Sequence, residues 1–166
     1  MSLYITDVTD QFEDGYRLRL RALEEAASRV RDLAGSRDAD GVAIAAHAGL
    51  DAVYDLHEAY FAYHRLSGMP EQNAHLAEFG GEIVGALALA RGAKTHRLMR
   101  MSRPGGFGVL PFGAGPFGGG WIWAEHTWSN PKLSVRAGWY ERCVKWRMLW
   151  SPLDEANYWF FSNMPR

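Results

Sequence analysis

From about Asp10 to Ala34, apolar side chains recur at steps of three and four residues: Phe12, Tyr16, Leu20, Leu23, Ala27, Val30 and Ala34, opposite a face rich in Arg and Glu. That period is the signature of a helix with one buried side, and Gly35-Ser36-Arg37-Asp38 supplies its stop. A second helix is expected from about Asp40, read as its cap, to Leu66. It places Leu50, Val53, Tyr54, His57, Tyr60, Phe61 and His64 on one side. Ser67-Gly68-Met69-Pro70 then makes a turn, and a third helix is expected from about Pro70 to Met101, with Leu76, Phe79, Ile83, Leu87 and Ala90 facing inward. Short links between long helices make antiparallel neighbours.

Gly80, Gly81 and Gly85 interrupt the third pattern, each costing roughly 1 kcal/mol against alanine in a helix interior. Close packing against another helix would offset that cost, and a bend is the alternative. From Pro104 to Gly120 the chain is dominated by Gly, Pro and Phe and predicts a long loop, with Phe107, Phe112 and Phe117 tucked onto the bundle. Beyond it, Trp121-Ile122-Trp123 and the stretch Trp139 to Trp150 are aromatic and partly alternating, which predicts short strands forming a small hairpin. Ser151-Pro152-Leu153-Asp154 offers a capping serine and a first-turn proline for a last helix from Pro152 to about Phe161. The expected fold is mainly α: an antiparallel bundle of three long helices (residues 10–103), a Gly/Pro-rich loop (104–120), and an aromatic, partly β C-terminal cap with a short final helix (121–166). All of it is read as a single domain over residues 1–166.

Composition narrows the class. A chain of 166 residues that is 48% hydrophobic and 22% charged has enough material for one buried core without metals or disulfides. No apolar run reaches the roughly 20 residues that a membrane-spanning helix needs. Met1-Ser2-Leu3-Tyr4 has neither a basic nor an apolar leader region, so the expected location is cytoplasmic. The single cysteine, Cys143, rules out an internal disulfide and reads as a small buried residue. Net charge is close to zero, yet residues 1–90 carry 7 Arg/Lys against 15 Asp/Glu while residues 91–166 carry 11 against 4. Such polarity can mark a basic surface for an anion, or it can let the halves pair with each other or with a second copy.

Several motifs are tested by the chemistry they would need. Gly113-Ala114-Gly115-Pro116-Phe117-Gly118 fits GxGxxG, but no strand precedes it, no helix follows it, and Pro116 removes an amide from the cradle. No nucleotide cofactor is expected. His47, Asp51, Asp55 and Glu58 share one side of the second helix, and His75, Glu78 and Glu82 form a similar stripe on the third. Facing stripes of this kind could hold a divalent ion; the paired Glu-x-x-His signature of a di-iron bundle is absent, so the wet face of a helix is the reading preferred and no metal is assigned. His57 and His64 lie on an apolar side, where a hydrogen-bonded core histidine is the commoner role.

Arg91-Gly92-Ala93-Lys94-Thr95-His96 remains. On a continuous helix, Arg91 and His96 stand about 140° apart and both reach one phosphate. Arginine can hold a phosphoryl oxygen while histidine moves a proton, the minimum for metal-independent RNA cleavage. Arg-x4-His late in a helical hairpin resembles the HEPN group of helical-bundle proteins. Trp121-Ile122-Trp123, Trp139-Tyr140-Glu141 and Leu153-Asp154-Glu155-Ala156 look like the tail of small actinobacterial proteins that carry an Arg-Asn-x-x-x-His version, over roughly residues 40–160. The resemblance implies a toxin-like or defence-associated ribonuclease, or an inactive relative that binds RNA or a protein partner, commonly as a homodimer. It would make Arg91 and His96 the catalytic pair, with Lys94, Arg97 and Arg100 as nucleic-acid contacts. Gly92 departs from the pattern, standing where the family has a polar residue that would orient the histidine. A solvated basic helix end is the other reading of these residues. The seven tryptophans of the tail, interspersed with Lys132, Arg136, Arg142, Lys145 and Arg147, are read as packing and self-association ahead of single-strand stacking. The sequence therefore predicts a self-associating, non-catalytic interaction protein of HEPN-like type, with a metal-independent ribonuclease using Arg91 and His96 as the alternative.

Overall fold

The structure is a computed structural model that describes residues 3–93, 97–102 and 120–165. The chain is mainly α, with helices α1 (Leu3–Asp32), α2 (Ala39–His64), α3 (Met69–Glu78), α4 (Glu82–Arg91), α5 (Ser134–Cys143) and α6 (Trp150–Ser162), and strands β1 (Met99–Ser102) and β2 (Gly120–Trp123). No helix among the described residues is long and apolar enough to cross a membrane.

The expected stripe of α1 is inward: Tyr16, Leu20, Leu23, Ala27 and Val30 are all buried against α2 and α6. On α2, Val42, Ala46, Leu50, Val53, Leu56, Tyr60 and Phe61 complete the same core. The cap of α2 is Asp38 and not Asp40, because the Asp38 carboxylate accepts from the Gly41 amide at 2.9 Å. Arg65 closes α2 in a left-handed conformation, its φ being 58°.

The third long helix does not exist as one element. The segment from Pro70 to Met101 holds α3, a break at Phe79 to Gly81, α4 and, after residues 94–96, which lie outside the described residues, strand β1. Gly80 adopts φ +68°, the left-handed region that glycine enters without a Cβ penalty, and this ends α3. Gly81 and Gly85 serve the other expectation, close packing: an added Cβ would lie 2.8 Å from the Trp159 ring at Gly81 and 2.5 Å from the Trp139 ring at Gly85. Phe79, expected inward, is instead 48% exposed, because the break turns it out.

The C-terminal third also differs from expectation. Residues 134–143 are helical: Arg136, Trp139 and Tyr140 point inward at helical spacing and pack α5 on α4. The partner of β2 is β1, antiparallel, with Met99 opposite Trp123 and Met101 opposite Trp121. Only Trp146 to Leu149 follows β2 as expected, through Trp146 N–H to Trp123 O at 2.9 Å and Leu149 N–H to Trp121 O at 3.1 Å. Helix α6 spans the predicted final helix, but Ser151 does not cap it; its Oγ accepts from Arg147 at 2.8 Å, and Leu149 holds the cap position. α6 lies against α1, α2 and α4 and so belongs to the bundle itself. The loop from Pro104, with Phe107, Phe112 and Phe117 and the GxGxxG stretch, lies outside the described residues up to Gly120, which opens β2.

Candidate functional site

Arg91 is the last residue of α4, and Gly92 follows as its cap. The continuous helix on which Arg91 and His96 would both reach one phosphate therefore ends at the arginine. Lys94 and His96 lie outside the described residues. The Arg91 guanidinium has local partners: Nε donates to Asp51 Oδ1 at 3.0 Å, and the group stacks over the Tyr54 ring at 4.6 Å. The hydrogen bond to Asp51, together with the nearby charges, raises its pKa and keeps it cationic. Asp51 also meets His47 Nε2 at 3.4 Å, so the acidic stripe of α2 is engaged with α4. Of the remaining basic residues, Arg97 is exposed, and Arg100 sits on β1, exposed, with its guanidinium 5.9 Å from the centre of the Trp146 ring. Arg100 lies on a strand and not at a helix end, so the dipole reading does not apply to it.

The two acidic and histidine stripes do not converge. His75 Nε2 bonds Tyr60 Oη at 2.9 Å, Glu82 pairs with Arg142 at 3.4 Å, and Glu58 Oε1 meets His57 Nδ1 at 3.1 Å. Among the described residues no group of three or more His, Cys, Asp or Glu is placed to hold a metal ion.

His57 is the hydrogen-bonded core histidine expected of it, but its partner Arg136 was read only as one of the cations among the tail tryptophans. Arg136 of α5 is 6% exposed, and its guanidinium reaches between α2 and α3. Nε donates to Asn73 Oδ1 at 2.8 Å, and Nη2 donates to Gln72 Oε1 at 3.1 Å and to His57 Nε2 at 3.2 Å. All three acceptors are neutral. Since Nε2 accepts, His57 carries its proton on Nδ1 and donates to Glu58 Oε1 at 3.1 Å. Burial, then the Arg136 charge, lowers the His57 pKa to about 3. The imidazole is held neutral and cannot serve as a proton donor near neutral pH. His64, by contrast, is exposed near the α2 end and packs on His75 at 5.2 Å between ring centres. Its pKa is lowered by partial burial and by His75.

Comparison with family models, with curated proteins and with solved structures gives no match for this chain. A guanidinium paired with a carboxylate, a histidine held neutral in the core, and a buried arginine bound to three neutral acceptors are positioning contacts. Each joins two helices: Arg91 joins α4 to α2, and Arg136 joins α5 to both α2 and α3. Cys143 is half-buried, and burial, together with nearby Glu82, raises its thiol pKa, the opposite of what a nucleophile needs. The tail aromatics are mainly structural: Trp123 and Tyr140 are fully buried, and Trp159 Nε1 donates to Phe79 O at 2.8 Å. The signal for Arg136 was its i, i+3, i+4 relation to Trp139 and Tyr140, which a strand assignment of the segment from Trp139 onward obscures.

Proposed function

We propose that this protein is a self-associating, non-catalytic interaction protein that resembles HEPN-type bundles. The observation that carries the reading is the engagement of Arg91 by Asp51 and Tyr54, so that a phosphate would have to compete with a carboxylate already paired with the cation of the Arg-x4-His motif. The buried polar groups around Arg136 support it, since they tie helices together rather than meet solvent. The exposed apolar side chains Leu18, Tyr158 and Phe161 supply material for a contact surface. The partner class that needs nothing beyond this chain is a second copy, and RNA is the partner class that the alternative requires.

The experiment is light scattering on the purified chain beside incubation with single-stranded RNA in EDTA. The expected result is a dimer that leaves the RNA intact. EDTA-resistant cleavage lost in a His96→Ala variant would overturn the proposal in favour of the ribonuclease.

A further inference from the structure

Helices α1 and α6 run antiparallel, with Tyr16 Oη donating to Phe160 O, and a groove of about 650 Å³ opens between them on the outer side of the bundle. Arg17, Arg21, Glu24 and Arg31 line it from α1, and Tyr158 and Phe161 from α6. The two rings are 73% and 68% exposed, among the most exposed large apolar side chains described. Arg17 pairs with Glu13, and Arg31 pairs with Asp154. Arg21 and Glu24 are different. They stand one turn apart on the same open face, yet they pair neither with each other nor with any other described residue.

The outer stripe of α1 reads Asp14, Arg17, Arg21, Glu24, Ser28, Arg31, at alternating steps of three and four residues. Those steps form a heptad-type seam, which in an antiparallel helix pair meets its partner in matched layers. Laid against itself about a two-fold axis midway between Arg21 and Glu24, the stripe is self-complementary. Arg21 meets Glu24 of the second copy twice, Asp14 meets Arg31 twice, and Arg17 meets the neutral Ser28 twice. No layer sets like charges together. A register moved so that Arg21 faces Arg21 places two cations in one layer and is disfavoured. The two charges left unpaired within the chain are thus those nearest the axis.

We infer that this face of α1 and α6 is the surface on which a second copy of the chain docks, two-fold and antiparallel, through reciprocal Arg21–Glu24 pairs. The inference rests on the self-association reading above and names its surface. An isologous contact uses one patch twice, which is what a self-complementary stripe provides. A two-fold axis perpendicular to the helices keeps both α6 flanks on one side, so Tyr158 and Phe161 of each copy face those of the other. These rings supply the apolar burial, and the charged seam sets register and orientation.

Charge reversal tests it, with mass read by sedimentation equilibrium at low salt and folding checked by circular dichroism. Arg21→Glu alone makes both reciprocal contacts carboxylate on carboxylate, and Glu24→Arg alone makes both guanidinium on guanidinium. Each is expected to weaken the dimer by about tenfold or more. An equimolar mixture of the two variants makes both contacts attractive again and is expected to restore dimer at the wild-type level. A monomeric wild type would overturn the surface and the self-association reading together. A wild-type dimer indifferent to both reversals would overturn the surface alone. Loss in the single variants without recovery in the mixture would overturn the Arg21–Glu24 pairing.

Discussion

His57 and Arg136 show how one buried contact fixes two protonation states. The imidazole Nε2 accepts from the guanidinium at 3.2 Å, so a proton on that nitrogen would both break the bond and set two cations together. Arg136 is held charged beside it by Glu58 and by its three acceptors, although burial lowers its own pKa. In the unfolded chain His57 titrates near 6.5, and in the folded chain near about 3. Above about pH 6.5 both states are neutral and the contribution is fully present. As pH falls from about 6.5 toward about 3, the unfolded chain takes up a proton that the folded chain refuses, and stability drops by about 1.4 kcal/mol per pH unit. Urea unfolding at about pH 7.5 and about pH 5 should therefore show the wild type losing about 2 kcal/mol more than a His57→Gln variant, whose amide oxygen still accepts from Arg136. Parallel losses in the two proteins would show that the acid sensitivity arises elsewhere.

At the scale of elements, the amphipathic stripes of α1 and α2 were legible because nothing in them competes with the 3.6-residue period. The break between α3 and α4 was hidden by the same period. Leu76, Ile83, Leu87 and Ala90 are buried on both sides of it, so the stripe reads as continuous through Gly80. Helix α5 was hidden by composition: its aromatic residues suit a pleated surface, but packing on α4 decides their state. In the candidate site, Arg91 could be picked out by type, while Asp51, its partner forty residues earlier, could not be found from spacing. The two glycine roles separate experimentally. Gly85→Ala drives a methyl against the Trp139 ring, so overpacking of about 1–3 kcal/mol opposes a helix gain of about 1 kcal/mol. Gly80→Ala meets no neighbour within 4 Å and costs only the left-handed conformation, about 1 kcal/mol. If a second substitution, Trp139→Leu, is added, it should remove most of the penalty of Gly85→Ala and none of that of Gly80→Ala. Equal response of both glycine variants in urea midpoint would refute the distinction.

Across the whole molecule, the charge polarity of the sequence is partly consumed within the fold. Arg91–Asp51 and Arg142–Glu82 join the basic second half to the acidic first, while Arg31–Asp154 runs the other way. These exposed pairs orient more than they stabilise. What closes the core is the last helix. α6 buries Leu153, Ala156, Trp159 and Phe160 against helices from the first ninety residues, and it is tied to them by Tyr16 Oη to Phe160 O and by Trp159 Nε1 to Phe79 O. The first two-thirds of the chain, which by its periodicity alone looks like a self-sufficient bundle, therefore presents an open core until residue 150 onward is in place. Removing Leu153, Trp159 and Phe160 from the core withdraws about 1.5–3 kcal/mol for each large side chain, and α1, α2 and α4 expose as much again on the surfaces they uncover. That sum is comparable with the entire stability of an ordinary domain, about 5–15 kcal/mol. A chain ending at Leu149 should accordingly keep helical circular dichroism but melt without a sigmoidal transition and bind a hydrophobic dye. A cooperative melt from that truncated chain would mean that α1 to α5 close a core of their own, and that α6 is an addition to the bundle rather than a part of it.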